Sequence, residues 1–178
     1  MDLRIIKTKQ NIKEAFFDLC KIKSIDKITI KELSSKAQIN KATFYLHYND
    51  IYDLADQIMN EIVEKRIYEL DEYVKYFFTD QILFLNRFID SFNKDRKTMA
   101  MLIKNNNYGY RTFKKTNQLI KEKIYNVSNY YKTLESEIAL DIIFNSLFSL
   151  IPIYMDNNRN EAIKVMASFI ENAIKKIK

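Results

Sequence analysis

The side chains best suited to recognition lie in one short run that follows Asn40. Lys41 can reach the edge of a guanine or a phosphate oxygen, and Thr43 offers a hydroxyl and a methyl group to base edges. Ala42 allows close approach, and Tyr45 carries a hydroxyl that can contact a phosphate oxygen. This combination of side chains suits the major groove of a nucleic-acid duplex.

Catalysis and metal binding have few residues to draw on. His47 is the only histidine, Cys20 the only cysteine and Gly109 the only glycine. His47 lacks partners of metal-ligand type, and it lacks a nucleophile and an orienting acid in a recognisable arrangement. Carboxylate chemistry remains, but nothing places two carboxylates in a cleft. We therefore expect no enzymatic activity, no metal and no cofactor.

Two short helices are predicted to position the run after Asn40. Thr29 is a plausible N-cap and Glu32 completes a capping box with it, so a helix of about two turns should span residues 30 to 38. Asn40 is a good cap for a second short helix over residues 41 to 46. This spacing is typical of a helix-turn-helix, although any pair of short helices in an all-helical protein gives the same pattern.

Composition predicts an all-α fold, and the helix patterns and the charge distribution together predict a three-helix head on a larger helical body. The 178 residues include one glycine and one proline, and hairpins and tight turns depend on both residue types. Residues 1 to 50 hold ten basic and six acidic side chains, which is a net charge of +4 out of +6 for the whole chain. A basic head of this kind is typical of nucleic-acid binding, although an ordinary lysine-rich surface gives the same balance.

The run from Ile28 to Asp50 resembles the DNA-binding head of the tetracycline-repressor (TetR) family. In that family a Thr opens the second helix, and an aromatic residue, a His or Tyr and a second aromatic residue close the recognition helix. Tyr45, His47 and Tyr48 fill this signature. The resemblance implies a DNA-binding domain over residues 1–50, an effector-binding and dimerisation domain over residues 51–178, and a His47 that donates to a phosphate. The residues expected to contact DNA are Thr29, Lys31, Asn40, Lys41, Ala42, Thr43, Tyr45, His47 and Tyr48.

Two positions depart from the family pattern. Gln38 stands where the family turn usually has Gly, so either a residue with a Cβ takes a positive φ or the turn differs. Ile51 stands where many relatives carry a Lys close to the DNA backbone. The resemblance therefore implies one phosphate contact fewer, and a gain in affinity if Ile51 is replaced by Lys.

Further helices are predicted on both sides of this region by the helical period of apolar residues. They are expected at Leu3 to Ile22, Ile51 to Phe78, Gln81 to Asn93, Arg96 to Asn105, Phe113 to Tyr130, Glu135 to Met155 and Asn160 to Lys176. A loop is predicted from Asn105 to Gly109, and Pro152 should bend the last turn of its helix.

The helix from Glu135 to Met155 is apolar nearly all round, so it must be covered on both sides. Asp141 and Pro152 disfavour a membrane span, and no signal sequence is evident, so we expect a cytoplasmic protein without membrane contact. A partner subunit is the expected cover, although a monomer with a buried central helix is an alternative. The resemblance implies a homodimer with a four-helix interface and a palindromic double-stranded DNA operator. The expected interface residues are Ile138, Ile142, Asn145, Ser149, Met166, Phe169 and Ala173.

Aromatic residues in the body could line a cavity for a small molecule, or they could form plain core. The resemblance favours an unknown small-molecule effector that changes the affinity for DNA. The expected pocket residues are Phe84, Phe88, Tyr108, Phe113, Tyr125, Phe144 and Phe148. The predicted function is a TetR-like repressor released from DNA by an effector. The alternatives are a helical protein-interaction module and an activator without effector binding.

Overall fold

The computed structural model describes residues 2–103, 108–128 and 132–176, without the side chains of positions 101, 103, 108–111 and 176. Within these ranges the regular elements are all helical, which confirms the predicted all-α fold. One turn of 3-10 helix spans Ile25–Lys27. The α-helices are α1 Leu3–Cys20, α2 Ile30–Lys36, α3 Lys41–Tyr45, α4 Ile51–Leu70, α5 Tyr76–Thr79, α6 Gln81–Asn93, α7 Arg96–Ile103, α8 Tyr108–Val127, α9 Leu134–Tyr154 and α10 Arg159–Lys176.

Most predicted helices occur within a few residues of their expected bounds, but two predictions are wrong. The long helix expected to reach Phe78 ends at Leu70, and hydrogen-bonded turns follow before α5. Tyr73, Val74 and Phe77, which follow this break, all lie in the body core. The loop expected to include Gly109 is also misplaced, because Gly109 lies inside α8; residues 105–107 of that loop lie outside the described residues.

The chain forms two compact units. The first unit, which we call the head, comprises Met1–Ile62 and Arg96–Thr112, and the second, which we call the body, comprises Val63–Asp95 and Phe113–Lys178. The functional division at residue 50 stays a prediction.

The head has one apolar core. In the head α1 packs on α2, and α2 packs on α3. The buried residues of α1 recur at helical spacing, so one side of that helix faces the core. Phe44 is the one buried residue of α3 and is completely enclosed. Members of this core include Ile12, Ala15, Phe16, Leu19, Leu33, Ala37, Phe44, Tyr48, Ile51 and Leu54.

Helix α2 ends in a left-handed turn at Gln38, whose φ is 57°. The Ile39 amide donates to the Ser34 carbonyl at 3.0 Å, and the Gln38 amide donates to the Ser35 carbonyl at 3.2 Å. This pair of hydrogen bonds is the Schellman helix ending, in which Gly is the usual residue at the left-handed position. Of the two alternatives for this position, a positive φ or a different turn, the structure shows the positive φ, at a cost of about 1–2 kcal/mol.

The body has an aromatic core. Its helix α6 packs on α5 and α10, and α9 also packs on α10. Phe77, Phe84, Phe88 and Phe144 are completely buried. Their rings contact one another with centroids 5.2 to 6.0 Å apart, which is the range of favourable aromatic pairs.

A buried guanidinium links α4 to the end of α6 within the body. Arg66 is 2% exposed; its Nε donates to Asp95 at 2.7 Å, and its Nη1 donates to both oxygens of Glu69 at 2.7 and 2.6 Å. Ser91 donates its hydroxyl to Glu69 at 2.8 Å. Burial would raise the pKa of Glu69, but hydrogen bonds from Ser91, Arg66 and Lys94 outweigh it and lower that pKa to about 2.

The pKa of Glu69 predicts a loss of stability in acid. Because its pKa falls from an ordinary 4.5 to about 2 on folding, its contribution is present above pH 4.5 and is lost as the pH falls towards 2. Urea unfolding at about pH 6 and about pH 3 measures this loss, and Glu69→Gln should reduce it. Glu64→Gln, an exposed position on the same helix, is the control and should leave the loss unchanged. An equal acid sensitivity of the Glu69→Gln variant and the native protein would contradict this account.

Candidate functional site

Thr29 caps the N-terminus of α2, since its Oγ1 accepts the Glu32 amide at 3.2 Å. The predicted capping box is only half correct. The Glu32 carboxylate accepts Lys23 Nζ at 2.7 Å, an ion pair that takes the place of the expected bond to the Thr29 backbone amide. A charged donor makes a stronger hydrogen bond than a neutral amide, which accounts for the difference.

Asn40 caps α3 with both acceptor positions of its side-chain oxygen. Its Oδ1 accepts the Thr43 amide at 2.7 Å and the Thr43 hydroxyl at 2.9 Å. The Thr43 hydroxyl proton is therefore directed at Asn40, whereas its methyl group and oxygen lone pairs are not used by this bond. Replacing an N-cap residue of this type by alanine typically lowers the free energy of unfolding by about 0.5–2 kcal/mol. The stability of α3 therefore depends on Asn40.

Four exposed residues share one side of α3 and its C-cap. They are Lys41, Ala42, Tyr45 and Leu46. Tyr45 lies one helical turn after Lys41, and Leu46 lies one turn after Ala42. We call these four residues the recognition face. Leu46 was not predicted as a contact residue, although it follows Ala42 by four positions and so had to lie on the same side. Its apolar side chain is 79% exposed and can contact a thymine methyl group.

The lysines of the head differ in whether they are paired with a carboxylate. Lys23 and Lys36 form ion pairs, with Glu32 at 2.7 Å and with Asp18 at 3.3 Å. Within the described ranges no ion pair is recorded for Lys31 or Lys41, and both are exposed. These two side chains keep an uncompensated positive charge that can attract phosphate.

Tyr48 and His47 lie at the end of the predicted recognition signature. The Tyr48 ring is 2% exposed and packs against Phe44, with ring centroids 5.6 Å apart. Burial, together with the charges of Glu61 and Asp53, raises the pKa of Tyr48 to about 12. His47 is half-buried, with its ring 6.3 Å from that of Tyr48. Tyr48 thus belongs to the core beneath the recognition face, and His47 lies at the edge of that face.

Ile51 also lies in the core of the head and is 6% exposed. It opens α4, whose first turn is capped by Asp50, since the Asp50 carboxylate accepts the Asp53 amide at 2.7 Å. A hydrogen bond from the backbone amide of Asn49, and then one from Gln57, lowers the pKa of Asp53. Two carboxylates therefore already compensate the N-terminal dipole of α4, which reduces its attraction for phosphate.

A metal centre would need several ligand side chains close together, and a cysteine nucleophile would need a deprotonated thiol. Among the residues that the structure describes, no group of three or more His, Cys, Asp or Glu side chains could hold a metal ion. Cys20 is half-buried, and burial raises the pKa of its thiol to about 11. At neutral pH this thiol stays protonated and is a poor nucleophile.

The residues predicted to line an effector pocket pack largely on one another. Phe84, Phe88 and Phe144 are fully buried, whereas Phe113, Tyr125 and Phe148 are half-buried. The Phe148 ring lies 5.1 Å from Phe113 and 5.9 Å from Phe88 between centroids. A ligand between these rings would have to displace them. The side chain of Tyr108 lies outside the described residues.

Helices α9 and α10 present an exposed apolar surface. On α9 the side chains of Leu134, Ile138 and Ile142 are exposed, and on α10 Phe169 is exposed. We call these four residues the apolar face. They line a groove of about 760 Å³ together with the buried Met166 and the half-buried Ala173, among others. Asn145 and Ser149, also predicted at the interface, are exposed on α9.

Helix α9 is not buried within a single chain. By length and composition alone it could cross a membrane. Only 28% of its most apolar 18-residue stretch is buried within the chain. The alternative of a monomer that buries this helix completely is therefore wrong, and the expected cover by a partner subunit stays a prediction. An exposed apolar surface of this kind usually marks an interaction site.

Comparison with known proteins gives a partial match. A stretch of 53 residues is 32% identical to an uncharacterized HTH-type (helix-turn-helix) transcriptional regulator, YxbF, of Bacillus subtilis (strain 168). The stretch is 30% of this chain and 14% of the relative, so the chain covers a small part of the relative's length. No family model and no solved structure matches the chain. Over this stretch the chain is similar to a helix-turn-helix regulator.

The burial of Ile51 predicts the outcome of the Ile51→Lys substitution. The variant should lower the free energy of unfolding by about 1–3 kcal/mol, because it places a polar group in an apolar core, and it should not gain affinity for DNA. Urea unfolding measures the first effect. Ile22→Lys is a matched control, since Ile22 is a 78% exposed isoleucine of the same unit. An Ile51→Lys protein of native stability with tighter DNA binding would contradict the structural placement of Ile51.

Proposed function

We propose that this protein is a dimeric DNA-binding transcriptional regulator of the TetR type. The observation that carries the proposal is the recognition face, which a capped five-residue helix presents after a left-handed turn. The similarity to a helix-turn-helix regulator supports the coarser part of this proposal, a DNA-binding regulator. The recognition helix α3 would enter the major groove, where the second helix of such a motif reads base edges.

Each exposed side chain of the recognition face has a role in this proposal. Lys41 contacts guanine or phosphate, and Tyr45 donates its hydroxyl to a phosphate oxygen. Ala42 and Leu46 contact thymine methyl groups. Lys31, at the start of α2, provides a second cation for the backbone, whereas Thr29 and Asn40 contribute as caps that fix the two helices.

The apolar face supports a homodimer. Ile142 is 61% exposed and Phe169 is 73% exposed, so a single chain leaves large apolar side chains in water. A second copy can cover the apolar face with its own, because a two-fold interface uses the same surface on both subunits. Two heads then bind two half-sites about one DNA turn apart, which predicts a palindromic operator.

Repression released by a small molecule is the simplest mode of action. The effector must bind the DNA-free state more tightly than the DNA-bound state, since only differential affinity shifts the equilibrium. The aromatic residues around Phe113 and Phe148 are the proposed contact region, and rings of this kind favour a flat or apolar molecule. The proposal places the protein in the cytoplasm, with no catalytic role.

Replacing Lys41 and Tyr45 together by Ala should weaken DNA binding by about tenfold or more and reduce the salt dependence by roughly one unit. The cause is the loss of a cation and a phosphate donor from an exposed surface, so helicity by circular dichroism should not change. Fluorescence anisotropy over a salt series, with labelled duplex from the region upstream of this protein's gene, measures the affinity.

A matched control is available in the body. Lys65 and Tyr68 are an exposed lysine and tyrosine on α4, and their replacement by Ala should leave DNA binding unchanged. If the native protein and the variant with Lys41 and Tyr45 replaced by Ala bound DNA with equal affinity, the recognition face would not be part of the DNA interface.

Replacing Ile142 and Phe169 by Asp should convert a dimer into a monomer, because two carboxylates would be buried in an apolar interface. Sedimentation equilibrium should give twice the 21.3 kDa chain mass for the native protein and one chain mass for the variant. Ile22→Asp, at a 78% exposed isoleucine of the head, is the control and should remain dimeric. A native monomer that instead sediments with lipid vesicles would show that a membrane covers the apolar face.

A further inference from the structure

Gln38 combines an unfavourable backbone conformation with an exposed amide. Its φ of 57° is one that glycine adopts without penalty and that a residue with a Cβ adopts at a cost. Its side chain is exposed, and within the described residues no hydrogen bond is recorded for its amide group. A strained residue that keeps a functional group in solvent is a candidate for a direct role in binding.

The other amides near the recognition face are already engaged. Reading an adenine in the major groove needs an amide whose oxygen accepts from N6 while its nitrogen donates to N7. Asn40 has used its oxygen twice, for the amide and the hydroxyl of Thr43. Asn49 donates its side-chain nitrogen to Asp53 at 3.0 Å. Of the three amide side chains between residues 38 and 50, Gln38 is the one for which no side-chain hydrogen bond is recorded among the described residues.

The position of Gln38 fits such a role. It precedes the cap of α3 by two residues, and the N-terminal end of a recognition helix is the part that contacts base edges. Lys41 has only donors and Tyr45 has one hydroxyl, so neither can make the two-bond contact that distinguishes adenine.

We propose that Gln38 is a specificity-determining residue that reads one adenine in each half-site through a two-bond contact from its amide. The proposal rests on the proposed DNA-binding function and adds one defined base to it. It also explains why a glutamine occupies a turn position at which glycine would adopt the same φ without strain.

The experiment is a selection of binding sites from randomised duplex DNA with the native protein, Gln38→Gly and Gln38→Ala. Glycine removes the Cβ and suits the turn, whereas alanine keeps the Cβ and removes only the amide. The native protein should enrich a site with one adenine that both variants lose, while the rest of the site is retained. Gln118→Ala, which removes an exposed glutamine of the body, should enrich the native site.

Affinities for the enriched site then test the contact itself. Replacing that adenine should weaken native binding by about tenfold or more and should leave both Gln38 variants within about twofold. Substituting 7-deazaadenine, which lacks the N7 acceptor, should weaken the native protein and not Gln38→Ala. The Gln38→Gly protein should have a melting temperature equal to or above that of the native protein. A loss of specificity in this variant then cannot be attributed to a loss of folding.

Two different failures can be told apart. If the native protein enriches a site and both variants enrich the same site with the same affinity, the assignment of Gln38 is overturned and the DNA-binding proposal stands. If the native protein enriches no sequence, the DNA-binding proposal fails and the assignment of Gln38 fails with it.

Discussion

The candidate interface depends on the burial of one ring, that of Phe44. Helix α3 has five residues, far fewer than an isolated helix needs for stability in water. Phe44 anchors it in the core of the head, where full burial of such a ring contributes about 1.5–3 kcal/mol. The cap at Asn40 and the left-handed turn at Gln38 fix where the helix begins. With these three constraints met, Lys41, Ala42, Tyr45 and Leu46 have to face solvent.

The body is governed by a different constraint, the amount of apolar surface that one chain can cover. Its aromatic core and the buried Arg66 network satisfy the inner side of the helices. The outer side of α9 and α10 leaves Ile142 and Phe169 exposed. The proposed dimerisation would cover this surface with a second copy of the same apolar character. The proposed dimerisation and the presentation of the recognition face therefore depend on separate features of the molecule.

Local rules in the sequence predicted much of the head. The caps at Thr29 and Asn40 depend on neighbouring residues, so residue types and spacing were enough, whereas the positive φ at Gln38 was one of two alternatives that the family resemblance implied. Features that depend on tertiary packing were missed or misassigned. Ile51 and Tyr48 enter the core, Glu32 pairs with Lys23, and α4 breaks at Leu70, because each outcome depends on residues that are close in space and not in sequence.

The most direct test of the central claim is a nuclear magnetic resonance titration of the isotope-labelled protein with duplex DNA at low salt. The account predicts that backbone signals of Lys41, Ala42, Tyr45 and Leu46 shift first and most, that those of Phe169 on the apolar face do not, and that added salt reverses the changes. Shifts confined to the body, or no shifts at all, would contradict a DNA interface centred on α3.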